Sequence, residues 1–245
     1  MSGWRVVGDI TAGAAHAFSS LDTVFALEGE PIARDPLSEV IRVEYDGLRY
    51  YVKRYWGAGK KLRRYLGRPR VKAEWQNLKH FERWGIPVAP LVAWGMERRA
   101  GAFVRGALIT LEVRDTMDMA AIASTADPRL SDRSWVEHIS RQVAQATRTL
   151  HDHRFAHNDL KWRNLLVNGA GDLFLIDCPS GDFWPGPLLR RRIVKDLACL
   201  DKVAKYRLSR TQRLRFYLQY QQRPRLQQGD RGVIDQVLRY FEGRE

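Results

Sequence analysis

A hairpin in the first quarter of the chain constrains the fold most. Val40-Ile41-Arg42-Val43-Glu44-Tyr45 and Leu48–Tyr55 flank Asp46-Gly47, and Asp-Gly supplies two adjacent residues that tolerate the positive φ of a tight antiparallel turn. The hairpin commits this region to an antiparallel sheet. Val71, Trp75, Leu78 and Phe81 then recur at helical spacing between Pro69 and Gly85, with proline before the start and glycine past the end as helix punctuation requires. Val88–Trp94 and Ala102–Val113 read as further strands around a turn at Glu97–Gly101. Residues 1–113 therefore form one expected unit, a mostly antiparallel sheet with one long helix.

From Arg114 the texture changes. Trp135, Ile139, Val143, Ala146 and Leu150 share a helical face over Ser134–His151, with Asp132 or Ser134 as cap. A loop over His153–Asn164 follows, then short strands Leu165–Val167 and Leu173–Ile176 and helical segments from Leu188 onward. The class is α+β, with a second, mostly helical unit over 114–245.

An apolar fraction of 44% and a charged fraction of 28% exclude a disordered polyelectrolyte and a collagen-like fibre. Cys178 and Cys199 are too few for a disulfide framework and lack metal-ligand spacing, which points to a reducing cytosol. The first residues lack the basic and apolar regions of a secretory leader, and no apolar run approaches a membrane span. The formal net charge is +13. Lys53–Arg105 and Arg190–Arg225 carry surpluses of 11 and 10, so the rest of the chain is net negative by 8. Such localisation favours an anionic partner: nucleic acid, a membrane surface or a phosphorylated substrate. Within Lys60–Arg70, Leu62, Tyr65 and Leu66 would form an apolar stripe flanked by cations, suited to an anionic membrane or to packing on the protein's own domain.

The chemistry concentrates in His157-Asn158-Asp159-Leu160-Lys161-Trp162-Arg163-Asn164, with Asp177 at the end of the second short strand. Carboxylate and amide groups on loops bracketing a hairpin can hold divalent cations and orient a hydroxyl. The segment resembles the catalytic loop of the protein-kinase-like fold, and Asp177 its metal-binding aspartate. Lys53, on the strand after the Asp46-Gly47 turn, matches the lysine that contacts nucleotide phosphates, and Glu74, on the following helix, that lysine's partner. The resemblance implies a two-lobed kinase fold with ATP and Mg²⁺ as cofactors. Asp159 would orient the acceptor hydroxyl and Lys161 steady the transferring phosphate, while Asn164 and Asp177 hold the metal. Glu112 and Val113 would read the adenine edge from the hinge between lobes. His157 reads as a structural hydrogen bonder, and Asp196 as either a brace for this loop or an exposed helical carboxylate.

Departures narrow the branch. Ile32–Val40 contains no glycine, so phosphate contacts there must come from other donors, with Arg34 and Ser38 as candidates, and Asp177 is followed by Cys178-Pro179 where protein kinases have Phe-Gly. With its basic flanks the chain resembles the bacterial lipopolysaccharide kinases, the heptose and Kdo kinases of the inner core. That resemblance implies phosphorylation of a sugar hydroxyl on lipid A-core oligosaccharide by an enzyme on the cytoplasmic side, peripheral to the anionic inner membrane, with no specific nucleic acid. Competing readings are a small-molecule kinase, whose pockets tend to be acidic, a RIO-like kinase on RNA-protein particles, and a pseudokinase. The presence of Lys53, Asp159, Asn164 and Asp177 argues against the last.

Overall fold

The structure, a computed structural model, describes residues 3–57, 65 and 67–243. Most of the expected amphipathic turn at Lys60–Leu66 lies outside the described residues. Two units are distinguished, residues 1–80 with 89–113 and residues 81–88 with 114–245.

In the first unit, β1 (Arg5–Val6), β2 (Glu30–Asp35), β3 (Ser38–Tyr45), β4 (Leu48–Tyr55), β5 (Leu91–Arg99) and β6 (Ala102–Leu111) make an antiparallel sheet in the order β1-β5-β6-β4-β3-β2. The Asp46-Gly47 turn has φ of 51° and 71°, and Tyr45 pairs with Leu48 across it. A second turn of the same kind, Ala100-Gly101 with φ of 48° and 78°, joins β5 to β6. The turn thus occupies only the end of the Glu97–Gly101 span expected for it. Glu97 accepts a 2.8 Å bond from Arg105 on β6, so the charged residues at the strand end extend the ladder and do not break it.

Strand alternation assigns the two faces of β4. Tyr50 and Val52 join a core with Phe18, Ile41, Val43, Val92 and Ile109, closed by Ala14 of α1 (Ala12–Ala17) and by Leu21 and Val24 of α2 (Leu21–Ala26). Lys53 and Tyr55 therefore face the other way, toward α3 (Arg70–Arg83). Val71 and Leu78 of α3 are buried and Trp75 stacks on Trp94 at 3.9 Å between ring centroids. Gly85, at φ 71°, ends the helix: Ile86 N–H donates to the Phe81 carbonyl and Gly85 N–H to that of Glu82.

The second unit holds α4 (Met119–Ser124), α5 (Arg133–Asp152), α6 (Gly186–Arg207), α7 (Arg210–Tyr220) and α8 (Asp230–Arg239). Asp132 caps α5, accepting from Ser134 and Trp135 N–H. Strands β7 (Thr116–Asp118), β9 (Leu165–Asn168) and β10 (Leu173–Leu175) pair in the order β10-β9-β7, and β8 (Phe155–Ala156) pairs with β11 (Asp182–Phe183). Residues 81–88 belong here: Phe81 and Trp84 meet the Phe155 ring edge-on, and Leu175 N–H donates to the Pro87 carbonyl. No helix among the described residues is long and apolar enough to cross a membrane.

Candidate active site

In the first unit Lys53 is held from the α3 side. Its ammonium lies 3.2 and 3.1 Å from the two carboxylate oxygens of Glu74, whose side chain is only 5% exposed. Tyr55, two residues along the same strand face, donates to Glu74 as well, and its ring lies 5.5 Å from the Lys53 ammonium. Sequence reading missed Tyr55, although the two-residue strand period could have found it. A buried ion pair of this kind does more to orient than to stabilise, because its desolvation offsets much of the attraction. Glu74 is thus the buried partner expected for Lys53 and not a helix-surface residue.

At the hinge position, Glu112 N–H donates to the Arg49 carbonyl at 2.9 Å. Its carboxylate accepts from Tyr51 at 3.2 Å and lies 3.9 Å and 3.8 Å from Arg42 and Arg49. Its backbone donor is spent, so Glu112 has only its carbonyl to offer a base edge. Val113 closes the first unit in sequence. The β2–β3 turn is equally committed: Asp35 accepts from Leu37 N–H, Ser38 N–H and the Ser38 hydroxyl. Ser38 is buried and its proton occupied, which argues against its expected role as a phosphate donor. Arg34 lies over the Trp56 ring at 5.7 Å.

In the second unit Asp159 stands in a loop held by its own backbone. Lys161 N–H and the Asn164 side-chain amide both donate to the Asp159 carbonyl, at 2.9 and 2.8 Å. The Lys161 ammonium sits 2.6 Å from Oδ1, and Arg163 reaches within 3.7 Å of Oδ2. Burial raises the Asp159 carboxyl, but Lys161 and Arg163 outweigh it and hold the group below its ordinary value. Asp159 is therefore ionised at neutral pH, a weak proton abstractor but a good acceptor for a hydroxyl hydrogen bond. Sequence reading named Lys161 but passed over Arg163, which lies in the same loop segment.

Asn158, at φ 63°, donates from its side-chain amide to the Ala156 carbonyl at 3.3 Å and the Ser180 carbonyl at 2.9 Å. It thereby ties the catalytic loop to the segment after Asp177. Ile176 N–H donates to the Asn164 carbonyl at 3.0 Å, which places Asp177 next to that residue's strand end. Asn164 spends its amide nitrogen on Asp159, so its oxygen is the group left to coordinate. Among the described residues no cluster of three or more His, Cys, Asp or Glu is poised for a metal. One amide oxygen and one carboxylate nevertheless fit Mg²⁺, which commonly takes one or two protein oxygens and completes its shell with water and phosphate.

His157 corrects an expectation. Its ring is fully buried, lies 6.1 Å from the Phe81 ring, and neither nitrogen has a hydrogen-bond partner. Burial pushes its pKa down, so it is a neutral packing group. The bonding falls to the backbone: His157 and Asn158 N–H donate to the two oxygens of Asp196 at 2.7 and 2.8 Å. Asp196, with no exposed surface, is a brace and not a surface carboxylate. Cys178 and Cys199 are both buried, and burial raises the Cys199 thiol to about 11.

The model of the lipopolysaccharide kinase (Kdo/WaaP) family matches residues 26–220. The chain belongs to that family. It is therefore a phosphotransferase acting on a sugar hydroxyl, and its fold is the two-lobed, protein-kinase-like one expected from the sequence. A solved structure described as WaaP in complex with acyl carrier protein is similar at a TM-score of 0.69, with 25% identity and 91% of each chain covered. No curated protein sequence matches.

Proposed function

We propose that this family member transfers the γ-phosphate of ATP to a heptose or Kdo hydroxyl of the lipopolysaccharide inner core, at the cytoplasmic face of the inner membrane. The observation that carries the reading is the Asp159 carboxylate, ionised and flanked by Lys161 and Arg163 in a loop braced on Asp196. Asp159 orients the acceptor hydroxyl, whose oxygen attacks the γ-phosphorus as ADP leaves. The proton passes to Asp159 or to solvent late in the step, as suits a loose transition state with little demand for a strong base. Lys161 is close enough to follow the transferring phosphate, and Lys53, fixed by Glu74, supplies a cation for the nucleotide phosphates. Mg²⁺, held by Asn164 and Asp177, would neutralise phosphate charge.

The exposed face suits an anionic amphiphile. Phe183 and Leu188 are each 46% exposed beside exposed Arg190 and Arg191, in the unit that carries Asp159. Labelled phosphate transfer to lipid A-core should fall by about 10²-fold or more in Asp159→Asn, and mass spectrometry of core oligosaccharide with and without the gene should show one phosphate missing. Equal transfer by the two proteins would remove Asp159 from the reaction.

A second reading concerns a partner. The structural neighbour is a complex with acyl carrier protein, and the second unit here contains an apolar cavity of about 520 Å³ lined by Met119, Trp135, Ile139, Val143, Leu197 and Ile234 among others. That volume lies within the range of small-ligand sites. We infer that an acyl chain presented by acyl carrier protein enters it. Native mass spectrometry should show a complex with acylated carrier protein that weakens at least tenfold in Val143→Trp; equal binding of the unacylated carrier would reject the cavity as its seat.

A further inference from the structure

The brace on the catalytic loop does not end at Asp196. Two backbone donors take one bond to each carboxylate oxygen, and His151 Nε2 approaches Oδ2 at 3.4 Å. On the far side of the ring, His151 Nδ1 lies 2.9 Å from the Tyr220 hydroxyl on α7. His151, Asp196 and Tyr220 are all buried, at 5%, 0% and 4% exposure. The carboxylate can only accept, so Nε2 carries a hydrogen; in a ring with one hydrogen Nδ1 is then bare and accepts from Tyr220. Burial also pushes the phenol pKa up, so Tyr220 keeps its proton.

From this geometry we propose that Tyr220 is a positioning residue: through a fixed His151 tautomer it sets the Asp196 carboxylate, and so the backbone that presents Asp159. The loop turns sharply at Asn158, whose φ of 63° is a left-handed conformation that asparagine tolerates, and its bonds to Asp196 and Ser180 fix where that turn sits. Tyr220 in turn is anchored in a buried cluster with Ala144, Leu197 and Tyr217, and Tyr217 donates to Asp230 at the start of α8 at 2.9 Å. Helix α7 thereby reaches the catalytic loop through hydrogen bonds that start at Tyr220, and α8 joins it through the packing of the Tyr217 ring on that of Tyr220, 6.3 Å between centroids.

The proposal rests on the kinase reading above, and its test separates the two. Tyr220→Phe removes one oxygen from the cluster. Its expected kcat is lower by about three- to tenfold, short of the roughly 100-fold of a full ångström of misplacement, with the KM values for ATP and lipid A-core within about twofold. Hydrogen exchange at the His157 and Asn158 amides should quicken while α5 and α6 keep their protection. His151→Gln, whose amide can both donate to Asp196 and accept from Tyr220, should retain activity that His151→Leu loses. Ring ¹⁵N shifts of wild-type His151 should report hydrogen on Nε2 alone. A ring protonated on Nδ1, unchanged exchange at the two amides, or unchanged kcat in Tyr220→Phe would each overturn it. If wild type fails to phosphorylate lipid A-core, the acceptor reading falls while the ring and exchange measurements still decide the relay.

Discussion

At the scale of single residues, the catalytic loop divides its charges by exposure. Asp159 keeps its charge because Lys161 and Arg163 answer its two oxygens, both with solvent at hand. His157, two residues earlier, is denied any charge: burial dominates, although Asp196, Asp177 and Asp159 all pull its pKa upward. This difference has a thermodynamic signature. The folded protein holds His157 below its ordinary value while the unfolded chain titrates near 6.5. Below that pH the unfolded state binds a proton that the folded state refuses, so stability falls as pH drops from about 7 toward 5 and is unaffected above. His157→Phe, which keeps a ring against Phe81 and abandons two unpartnered nitrogens, should show a shallower loss of thermal stability over that range. Parallel curves for the two proteins would mean that His157 is charged in the fold.

At the scale of elements, what could be read from sequence was what is locally determined. The Asp46-Gly47 hairpin, the α3 boundaries at Pro69 and Gly85 and the Asp132 cap of α5 each rest on neighbours within a few residues. The motif carrying Asp159, Asn164 and Asp177 is legible for the same reason. Strands β1 and β2 and helices α1 and α2 were not, because two to six residues hold no periodicity and their stability comes from the sheet they join. The strand period puts Tyr55 on the face of Lys53 but cannot say that it meets Glu74, 19 residues on; likewise the choice between the two readings of Asp196 and the burial of the His157 ring depend on contacts 39 or more positions apart, beyond any local pattern. The segment after Asp177 illustrates what packing adds. A Cβ at Gly181 would drive into the Phe155 ring and the Cys178 sulfur, both fully buried and unable to withdraw. Gly181→Ala should therefore lower unfolding free energy by about 1–3 kcal/mol, read by denaturant titration; a wild-type midpoint would show that this segment is looser than its contacts imply.

At the scale of the whole molecule, the charge of +13 is concentrated in two stretches of the sequence. One basic stretch begins at Lys53 and the other at Arg190, four residues into α6, whose first turn contains no acid. If, as proposed, the acceptor is embedded in an anionic leaflet, that arrangement is useful: each cation near such a surface contributes about 1 kcal/mol, screened beyond roughly 10 Å at 0.1 M salt. Phe183 and Leu188 add modest apolar area on the same segment, which is too little to bind without the charge. Attachment should therefore be electrostatic and reversible. In co-sedimentation, the protein should bind vesicles containing anionic lipid at about 50 mM salt, lose most of that binding by about 500 mM, and ignore zwitterionic vesicles throughout. Arg190→Gln with Arg191→Gln should weaken the low-salt binding by about tenfold or more while leaving the fold intact, since both side chains are exposed. Binding that survives high salt, or that the double variant leaves unchanged, would remove Arg190 and Arg191 from any electrostatic membrane contact and return the Arg190–Arg225 surplus to the acceptor's own phosphates.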